Sequence, residues 1–234
     1  MSLLIAYNIV FGVFQHYPSM VLASHDFFII SANLIGGIAG YLSEQQRRLL
    51  FLREHEVDEE RRLHLVRSLH DPLTGLPNRA LLYDRLDTAL ASAQREGDTY
   101  CALFIDLDGF KQVNDDLGHE MGDRVLSTIA LRLRQAMRES DTIARLGGDE
   151  FFAIARGIKS EADAMALGDK LISAISEPMQ ELPGRMGASI GICIFPYPGM
   201  TAVDIIRRAD QAMYRAKLGG KNACLLASFD PEEL

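Results

Sequence analysis

The stretch Arg145-Leu-Gly-Gly-Asp-Glu-Phe151 decides the fold of this chain. Two glycines are followed directly by two carboxylates, and apolar segments stand on both sides, around Ile143 and from Phe151 to Ile154. Short apolar segments separated by a glycine pair predict two strands joined by a tight hairpin. The hairpin is expected to carry Asp149 and Glu150 at the tip of a sheet, where glycines leave room for backbone or phosphate.

A carboxylate pair beside such a gap suits the hard divalent cations that accompany nucleotide phosphates. An ordinary acidic hairpin turn has the same residues, so the motif alone leaves both interpretations open. The rest of the chain has to supply the metal partner, the phosphate contacts and the sheet.

The composition limits the classes of function. The 234 residues carry a net charge of -8, which disfavours a binding surface for nucleic acid polymers. A nucleotide is still acceptable if metal ions and a few lysines neutralise its phosphates. The length allows one sizeable domain with appendages. The three cysteines fit no zinc-binding spacing, and their odd number argues against a disulfide framework, so we expect buried thiols in a reducing compartment.

Residues 1–43 are predicted to form a membrane segment. Two apolar blocks, Ser2 to Phe14 and Met20 to Leu42, carry no Lys or Arg. The second block is long enough to cross a bilayer, whereas the first is short for a span. Three arginines within Arg47 to Arg53 follow, so the positive-inside rule predicts that the rest of the chain lies in the cytoplasm, at the inner membrane. Two helices, or the end of a larger membrane sensor, both fit this pattern.

Residues 44–69 are predicted to form a helical linker. The stretch has no Gly or Pro, and Asp58 and Arg62 stand four residues apart, which supports a helix. One heptad seam is formed by Leu49, Leu52, Leu63 and Val66. This seam predicts a parallel coiled coil that holds two chains together, and a single solvated helix is the alternative.

Residues 70–230 are predicted to form one globular domain of the α/β (α+β) class. Periodicity predicts helices at about 79–95, 121–138, 162–175 and 203–218, and strands at 100–108, in both arms of the hairpin, at 187–195 and ending near 227. The segment 109–118 is expected to be a loop. A mixed central sheet flanked by helices is the packing that this order of elements favours.

The predicted strand 100–108 supplies a metal partner for the hairpin. It is apolar throughout and ends in Asp106 and Asp108, which a central strand places at the rim of the sheet. We expect these two carboxylates to point to opposite faces of the sheet, so that at most one of them faces a given metal pocket. Asp106 and Asp149 are then expected at the tips of neighbouring strands, where two carboxylates can bridge two cations about 3.5–4 Å apart.

Polar residues near this rim suggest contacts to phosphate and base. Lys111, Lys217 and Lys221 come from different segments and can neutralise phosphates, although a solvated surface lysine is the ordinary alternative for each. Asn114 can pair with guanine O6 or N7, and Asp123 with the guanine N1–H and N2 amine. A charge that stabilises the start of a helix is the alternative role for Asp123.

At these residues the chain resembles the GGDEF family of diguanylate cyclases. The resemblance runs from Asp71 to about Leu226 and implies a mixed, palm-like sheet of the nucleotidyl-cyclase type flanked by helices. Its motifs are Asp71-Pro-Leu-Thr-Gly-Leu-Pro-Asn-Arg79, Asp106-Leu-Asp-Gly-Phe-Lys-Gln-Val-Asn-Asp115, Gly118-His-Glu-Met-Gly-Asp123, Arg145–Phe151, Ser189-Ile-Gly191 and Ala209-Asp-Gln-Ala-Met-Tyr-Arg-Ala-Lys217. It also implies synthesis of cyclic di-GMP from two GTP held by the two chains of a homodimer. No phosphodiesterase domain is expected to follow Leu234.

The resemblance implies a role for each matching residue. Asp106 and Asp149 would bind two Mg²⁺ per active site, with Mn²⁺ as a possible substitute, helped by the carbonyl of Leu107. Glu150 would be a further metal ligand or help to activate the ribose 3′-hydroxyl. The substrate contacts implied are Gly147 and Gly148 against the nucleotide, Asn114 and Asp123 at guanine, and Phe110, Lys111, Lys217 and Lys221 along the phosphate path. Lys221 stands where the family often has Arg, which keeps the charge but loses bidentate contact.

Arg138-Glu-Ser-Asp141 resembles the RxxD inhibitory site of the family and implies feedback by the product. Its residues taken alone also fit a salt bridge at a helix end. A non-catalytic GGDEF-like receptor for GTP or cyclic di-GMP is the alternative to an enzyme, and intact Asp106, Asp149 and Glu150 argue against it. A cyclase that also uses ATP is a third hypothesis, which Asp123, matched to the donors of guanine, disfavours.

Overall fold

The structure is a computed structural model that describes residues 5–6, 9–10, 19–179, 182 and 184–228. The side chains of 19, 21–23, 49–50, 52 and 54–67 lie outside this description. The chain divides into two compact units, Met1–His64 and Leu65–Leu234.

Helix α1 (Ser19–Leu69) contains the predicted membrane block and the predicted linker. Its segment Ser24–Arg48 has a mean hydropathy of 1.3 and is long and apolar enough to cross a membrane, by length and composition alone. Large apolar side chains such as Phe27 and Ile35 are exposed along it. The block Ser2 to Phe14 lies mostly outside the described residues, and so do the side chains of the heptad seam. A second span and a coiled coil therefore stay predictions.

Five strands form one mixed sheet in the second unit. They are β1 (Tyr100–Asp108), β2 (Thr142–Gly147), β3 (Glu150–Arg156), β4 (Gly187–Phe195) and β5 (Cys224–Leu226). Their order is β2-β3-β1-β4-β5, and every neighbouring pair is antiparallel except β4–β5. Strand β1 is central and buried along most of its length, as its uninterrupted apolar sequence predicts.

Helices cover both faces of the sheet, which confirms the predicted fold class. They are α2 (Arg79–Glu96), α3 (Phe110–Leu117), α4 (His119–Ala136), α5 (Glu161–Ile175) and α6 (Ala202–Leu218). One core cluster joins α4 and α5 to the sheet, and a second joins α2 and α6 to the opposite face.

The expectation of a loop over 109–118 is wrong, because most of this segment forms α3. Gly109 and Gly118 bound the helix with φ values of 80° and 83°, in the left-handed region that glycine adopts readily. Phe110, at the first turn, is buried and anchors the helix to the core. Eight residues are too few to display a helical repeat in the sequence, which explains the error.

The alternation of side chains along β1 places the polar end of the strand. Leu103, Ile105 and Leu107 belong to the cluster on the α4/α5 face, whereas Ala102 and Phe104 belong to the cluster on the α2/α6 face. Successive side chains in a strand point to opposite faces. Asp106 and Asp108 therefore lie on the same face, the side of α6, and the expectation that they point to opposite faces is wrong because residues two apart in a strand share a face.

Candidate active site

Strands β2 and β3 meet in a tight turn at Gly148 and Asp149. Gly147 and Gly148 have φ values of 142° and 53°, which side chains with a Cβ rarely allow. The pairing register shifts between Arg145 and Gly147, so Leu146 forms a bulge that bends the strand before the turn. The hairpin predicted from the sequence is confirmed, and Asp149 stands at its tip.

The end of β1 lies beside this tip. Asp106 pairs in register with Glu150 on β3 and with Ser189 on β4. The N–H of Leu107 donates to the carbonyl of Asp149 at 3.3 Å. The structure thus brings together Asp106, Leu107, Asp149 and Glu150, the residues predicted to bind metal.

Burial and neighbouring carboxylates raise the pKa values of Asp106 and Glu150. Burial raises the pKa of Asp106, and the charge of Asp149 adds to the rise while the hydrogen bond from Lys217 opposes it. Burial also raises the pKa of Glu150, with Asp106 contributing further and Arg79 opposing. A bound cation lowers the electrostatic repulsion between carboxylates that lie together at the rim of a sheet.

Two side-chain cations already contact these carboxylates. The Nζ of Lys217 lies 2.6 Å from Oδ2 of Asp106, whose side chain is 8% exposed. The Nη2 of Arg79 lies 3.9 Å from Oε2 of Glu150 at a more exposed position. Over the described part of the chain no ready-made cluster of three metal-ligating side chains occurs. The donor set still fits a hard cation, because carboxylate and carbonyl oxygens are the ligands that such ions prefer.

Replacing Glu150 by glutamine is expected to raise the midpoint of thermal unfolding at neutral pH. A carboxyl whose folded-state pKa is raised stabilises the fold below its unfolded pKa, and this stabilisation is lost as pH rises through the folded value. Circular dichroism melting of Glu150→Gln and wild type, without added metal, should show a gap that widens from about pH 4 to about pH 8. The exposed residue Glu139 provides the control Glu139→Gln; a gap that narrows with rising pH contradicts the expectation.

Arg145 has a structural role that the sequence motif alone does not predict. Its Nη1 donates to both carboxylate oxygens of Asp71, at 2.9 and 3.1 Å. Its Nε and Nη2 donate to the carbonyl of Gly148, at 3.1 and 2.8 Å. Both side chains are largely buried, at 10% exposure for Arg145 and 16% for Asp71. One guanidinium therefore ties the hairpin tip to the loop between α1 and α2.

Arg145→Lys is expected to destabilise the fold by about 2 kcal/mol, because one ammonium cannot make all four bonds. Burial acts to raise the pKa of Asp71, but hydrogen bonds from Thr74 and Arg145 outweigh it and hold that pKa below its usual range. The stabilisation is therefore present above the unfolded pKa and is lost as pH falls through the folded value. Melting curves of Arg145→Lys and wild type should converge on acidification, with Arg134→Lys on the exposed side of α4 as control. Curves that diverge on acidification would show that the ion pair is not the cause.

The predicted guanine-binding residues lie on neighbouring helices. Asn114 of α3 packs against Gly122 of α4, where an added Cβ would collide with the Asn114 amide and come within 3.2 Å of the Phe110 ring. The bare backbone at Gly122 thus makes room for Asn114 directly before Asp123, which is exposed. Phe110 is only 6% exposed, so its ring belongs mainly to the core.

The three predicted phosphate lysines are placed differently. Lys217 lies in the last turn of α6 and contacts Asp106. Lys221 lies in the turn after α6, where its N–H donates to the carbonyl of Ala216 at 3.2 Å. Lys111 is exposed on α3. Within residues 65–228 as described, Lys217 is the one lysine of the three that contacts a carboxylate of the site.

Comparison with known proteins identifies this arrangement. Residues 68–223 match the family model for the diguanylate cyclase GGDEF domain. This match includes the hairpin, the end of β1, Lys217 of α6 and Lys221 in the turn that follows it. The chain belongs to the GGDEF family.

Several relatives of this GGDEF domain come from Pseudomonas aeruginosa. The bifunctional diguanylate cyclase/cyclic di-GMP phosphodiesterase MucR is 48% identical over 157 residues, which are 66% of this chain and 23% of MucR. The diguanylate cyclase TpbB is 42% identical over 169 residues, 70% of this chain and 39% of TpbB. The chain therefore spans less than half the length of the curated relatives that it matches.

Solved structures agree with the fold of the GGDEF domain. The GGDEF domain of TpbB is 42% identical, superposes with a TM-score of 0.64, and is covered to 94% by 68% of this chain. The GGDEF domain of DgcB from Caulobacter crescentus, solved in complex with c-di-GMP, is 31% identical with a TM-score of 0.64. That comparison covers 68% of this chain and 95% of the DgcB domain.

The GGDEF domain also has a cavity of about 460 Å³ at the end of α4. Its charged lining residues are Arg138, Asp141, Arg156, Lys159, Asp163 and Lys170. Asp141 accepts from the backbone N–H of Arg138 at 3.0 Å and from that of Arg156 at 3.4 Å. In the described contacts Asp141 is therefore bound by backbone, and the helix-end salt bridge considered from the sequence is not formed. A cavity with four cationic side chains suits a phosphate-bearing ligand.

Proposed function

We propose that this protein is a diguanylate cyclase, which condenses two GTP into cyclic di-GMP with release of two pyrophosphates. The observation that carries the proposal is the convergence of Asp149 and Glu150 at the hairpin tip with Asp106 at the end of the neighbouring strand. Membership of the GGDEF family supports it. Carboxyl groups with raised pKa values, such as Asp106 and Glu150 at this rim of the sheet, are typical of an active site.

Metal binding is the first part of this proposal. Asp106, Asp149 and Glu150, with the carbonyl of Leu107, are the residues that would hold two Mg²⁺, or Mn²⁺ in their place. When bound, these ions would neutralise phosphate charge and polarise the phosphorus that is attacked. Lys217, which contacts Asp106 in the structure, would then be available to phosphate oxygens.

Substrate recognition divides between base and phosphate. Asn114 and Asp123 would bind the guanine edge, with the amide beside Gly122 already placed by packing. Gly147 and Gly148 would lie against the nucleotide. The phosphate path would be lined by Phe110, Lys111, Lys217 and Lys221. These groups fix the triphosphate so that its α-phosphorus faces an incoming hydroxyl.

The chemistry is a displacement at phosphorus. The 3′-oxygen of one GTP forms a bond to the α-phosphorus of the other, the bond from that phosphorus to its bridging oxygen breaks, and pyrophosphate leaves. Glu150, whose pKa burial raises, would be a further metal ligand or would help to accept the proton of the hydroxyl. A second displacement in the opposite sense closes the ring. Because one chain holds one GTP, the reaction needs a homodimer in which the two sites face each other.

The proposal includes regulation by the product. The cavity lined by Arg138 and Asp141 would bind cyclic di-GMP, with guanidinium and ammonium groups on the phosphates and Asp141 on a guanine edge. Lys159 and Lys170 add cationic groups that the RxxD pattern did not predict, whereas the Arg156 guanidinium is paired with Glu96 and Asp98. Occupation of this cavity would lower the rate of synthesis.

The proposal also gives the protein a location in the cell. The apolar segment Ser24–Arg48 would anchor the chain in the inner membrane, with the GGDEF domain in the cytoplasm. Residues 44–69 would then form the coiled coil that brings two GGDEF domains together. A change in the membrane segment could adjust the rate through the geometry of that dimer.

Product analysis distinguishes this proposal from its alternatives. The full chain in detergent, incubated with GTP and Mg²⁺, is expected to form cyclic di-GMP, which chromatography with mass spectrometry detects. Binding of GTP or cyclic di-GMP without any product would favour a non-catalytic receptor. Cyclic dinucleotides that contain adenine, from mixtures of ATP and GTP, would favour the broader cyclase that Asp123 disfavours.

A further inference from the structure

A carboxylate beside the active site joins three elements of the domain. Asp108 lies two residues after Asp106, so both occupy the same face of the sheet. Its Oδ1 accepts from the hydroxyl of Ser189 at 2.9 Å, and its Oδ2 accepts from the backbone N–H of Asn222 at 2.8 Å. Asp108 thereby links β1 and β4 to the turn between α6 and β5.

The turn held by Asp108 has an unfavourable backbone conformation. Lys221 and Asn222 are consecutive residues with φ values of 66° and 47°. Asparagine tolerates the left-handed region, but a long side chain such as lysine adopts it only where the surroundings enforce it. Two bonds hold this turn, from the N–H of Asn222 to Asp108 and from the N–H of Lys221 to the carbonyl of Ala216.

The surroundings of Asp108 are closely packed. Ser189 is fully buried beneath the carboxylate. A Cβ at Gly187 would come within 3.3 Å of both Oδ2 of Asp108 and Oδ1 of Asn222, tighter than an ordinary contact. The bare backbone at Gly187 therefore leaves the space in which Asp108 and Asn222 meet, and the bonds of Asp108 define one position for the turn.

We propose that Asp108 is a positioning residue that holds Lys221 at the phosphate path of the nucleotide. The proposal rests on the proposed function, in which Lys221 neutralises phosphate charge. Asp108 acts through the backbone N–H of Asn222, the residue next to Lys221. Without this bond the turn relaxes toward a right-handed backbone, and the Lys221 ammonium leaves the position from which it reaches the phosphates.

The test measures how two probes bind to the full chain in detergent with Mg²⁺, α,β-methylene-GTP by calorimetry and guanosine by NMR titration. Asp108→Ala is expected to weaken binding of the GTP analogue about tenfold, the size of one charge-assisted hydrogen bond, and to leave guanosine binding unchanged. Lys221→Ala is expected to cause the same loss. In the Lys221→Ala background Asp108→Ala should add little, because both changes remove the same contact.

Two further variants keep the test decisive. Asp108→Asn retains one acceptor oxygen and is expected to lie between wild type and Asp108→Ala, so it replaces Asp108→Ala if that variant fails to fold. Asp87→Ala removes an exposed carboxylate of α2 and is expected to bind both probes as wild type does.

Two outcomes would overturn the positioning role. Equal loss of analogue and guanosine would mean that Asp108 supports the fold in general, and an undiminished loss in the Lys221→Ala background would mean that Asp108 does not act through Lys221. If wild type itself did not bind α,β-methylene-GTP, the proposed function would fail, and the positioning role with it.

Discussion

Asp149→Ala is expected to lower the rate of cyclic di-GMP formation by about a thousandfold or more, corresponding to ~4 kcal/mol of lost transition-state stabilisation. Asp149 occupies the tip of the hairpin, where burial raises the pKa of Asp106 and the charge of Asp149 adds to that rise, while the Asp149 carbonyl accepts from the N–H of Leu107. Removing the side chain takes away one carboxylate that would hold a cation but leaves the backbone contact in place. The measurement is the initial rate with saturating GTP and Mg²⁺.

Matched variants separate this effect from a general loss of structure. Asp149→Asn keeps the size of the side chain without its charge and should be nearly as inactive, because a neutral amide is a poor ligand for a hard cation. Asp87→Ala, on the exposed face of α2, should retain the wild-type rate. A rate for Asp149→Ala within about tenfold of wild type would show that the hairpin carboxylate does not hold the reacting centre.

Arg138→Ala is expected to raise the concentration of cyclic di-GMP that halves the rate by about a hundredfold. The Arg138 guanidinium lines the cavity at the end of α4, and the two charge-assisted hydrogen bonds that it can make to phosphate or guanine account for this size. The backbone N–H of Arg138, which donates to Asp141, is unaffected by the substitution. Rates measured over a series of added cyclic di-GMP concentrations give the value.

Variants inside and outside the cavity show whether the loss of product inhibition is specific to Arg138. Arg134→Ala removes an exposed arginine from the last turn of α4, which does not line the cavity, and should leave product inhibition as in wild type. Lys170→Ala should weaken inhibition less than Arg138→Ala, because the Lys170 ammonium also donates to the carbonyl of Ala136 at 2.6 Å. Unchanged inhibition in Arg138→Ala would exclude this cavity as the feedback site.

The fold was predictable because its elements leave strong local patterns. The nine-residue apolar run of β1 and the glycine pair of the hairpin predict strands of the observed type and length. Helix α3 was missed because eight residues bounded by Gly109 and Gly118 look like a loop in the sequence. Its stability comes from burial of Phe110 in the tertiary structure, which a local pattern does not show.

The site was predictable where its residues are close in sequence or match a family motif. Asp106, Asp149 and Glu150 meet as expected because strand pairing places them side by side. The contact between Arg145 and Asp71 joins residues 74 positions apart and has no local signature. The partners of Asp108 are still farther away in sequence, at 81 positions for Ser189 and 114 for Asn222, and they approach it only when β4 and the turn after α6 fold against β1.

The proposed mechanism requires that the hairpin forms half of an active site that a second chain completes. The most direct test follows GTP consumption by the full chain with Mg²⁺ over a series of protein concentrations and quantifies both products. We expect two pyrophosphates for each cyclic di-GMP, and a specific activity that rises with protein concentration as dimers form. GTP binding without cyclic di-GMP at any concentration would contradict the account.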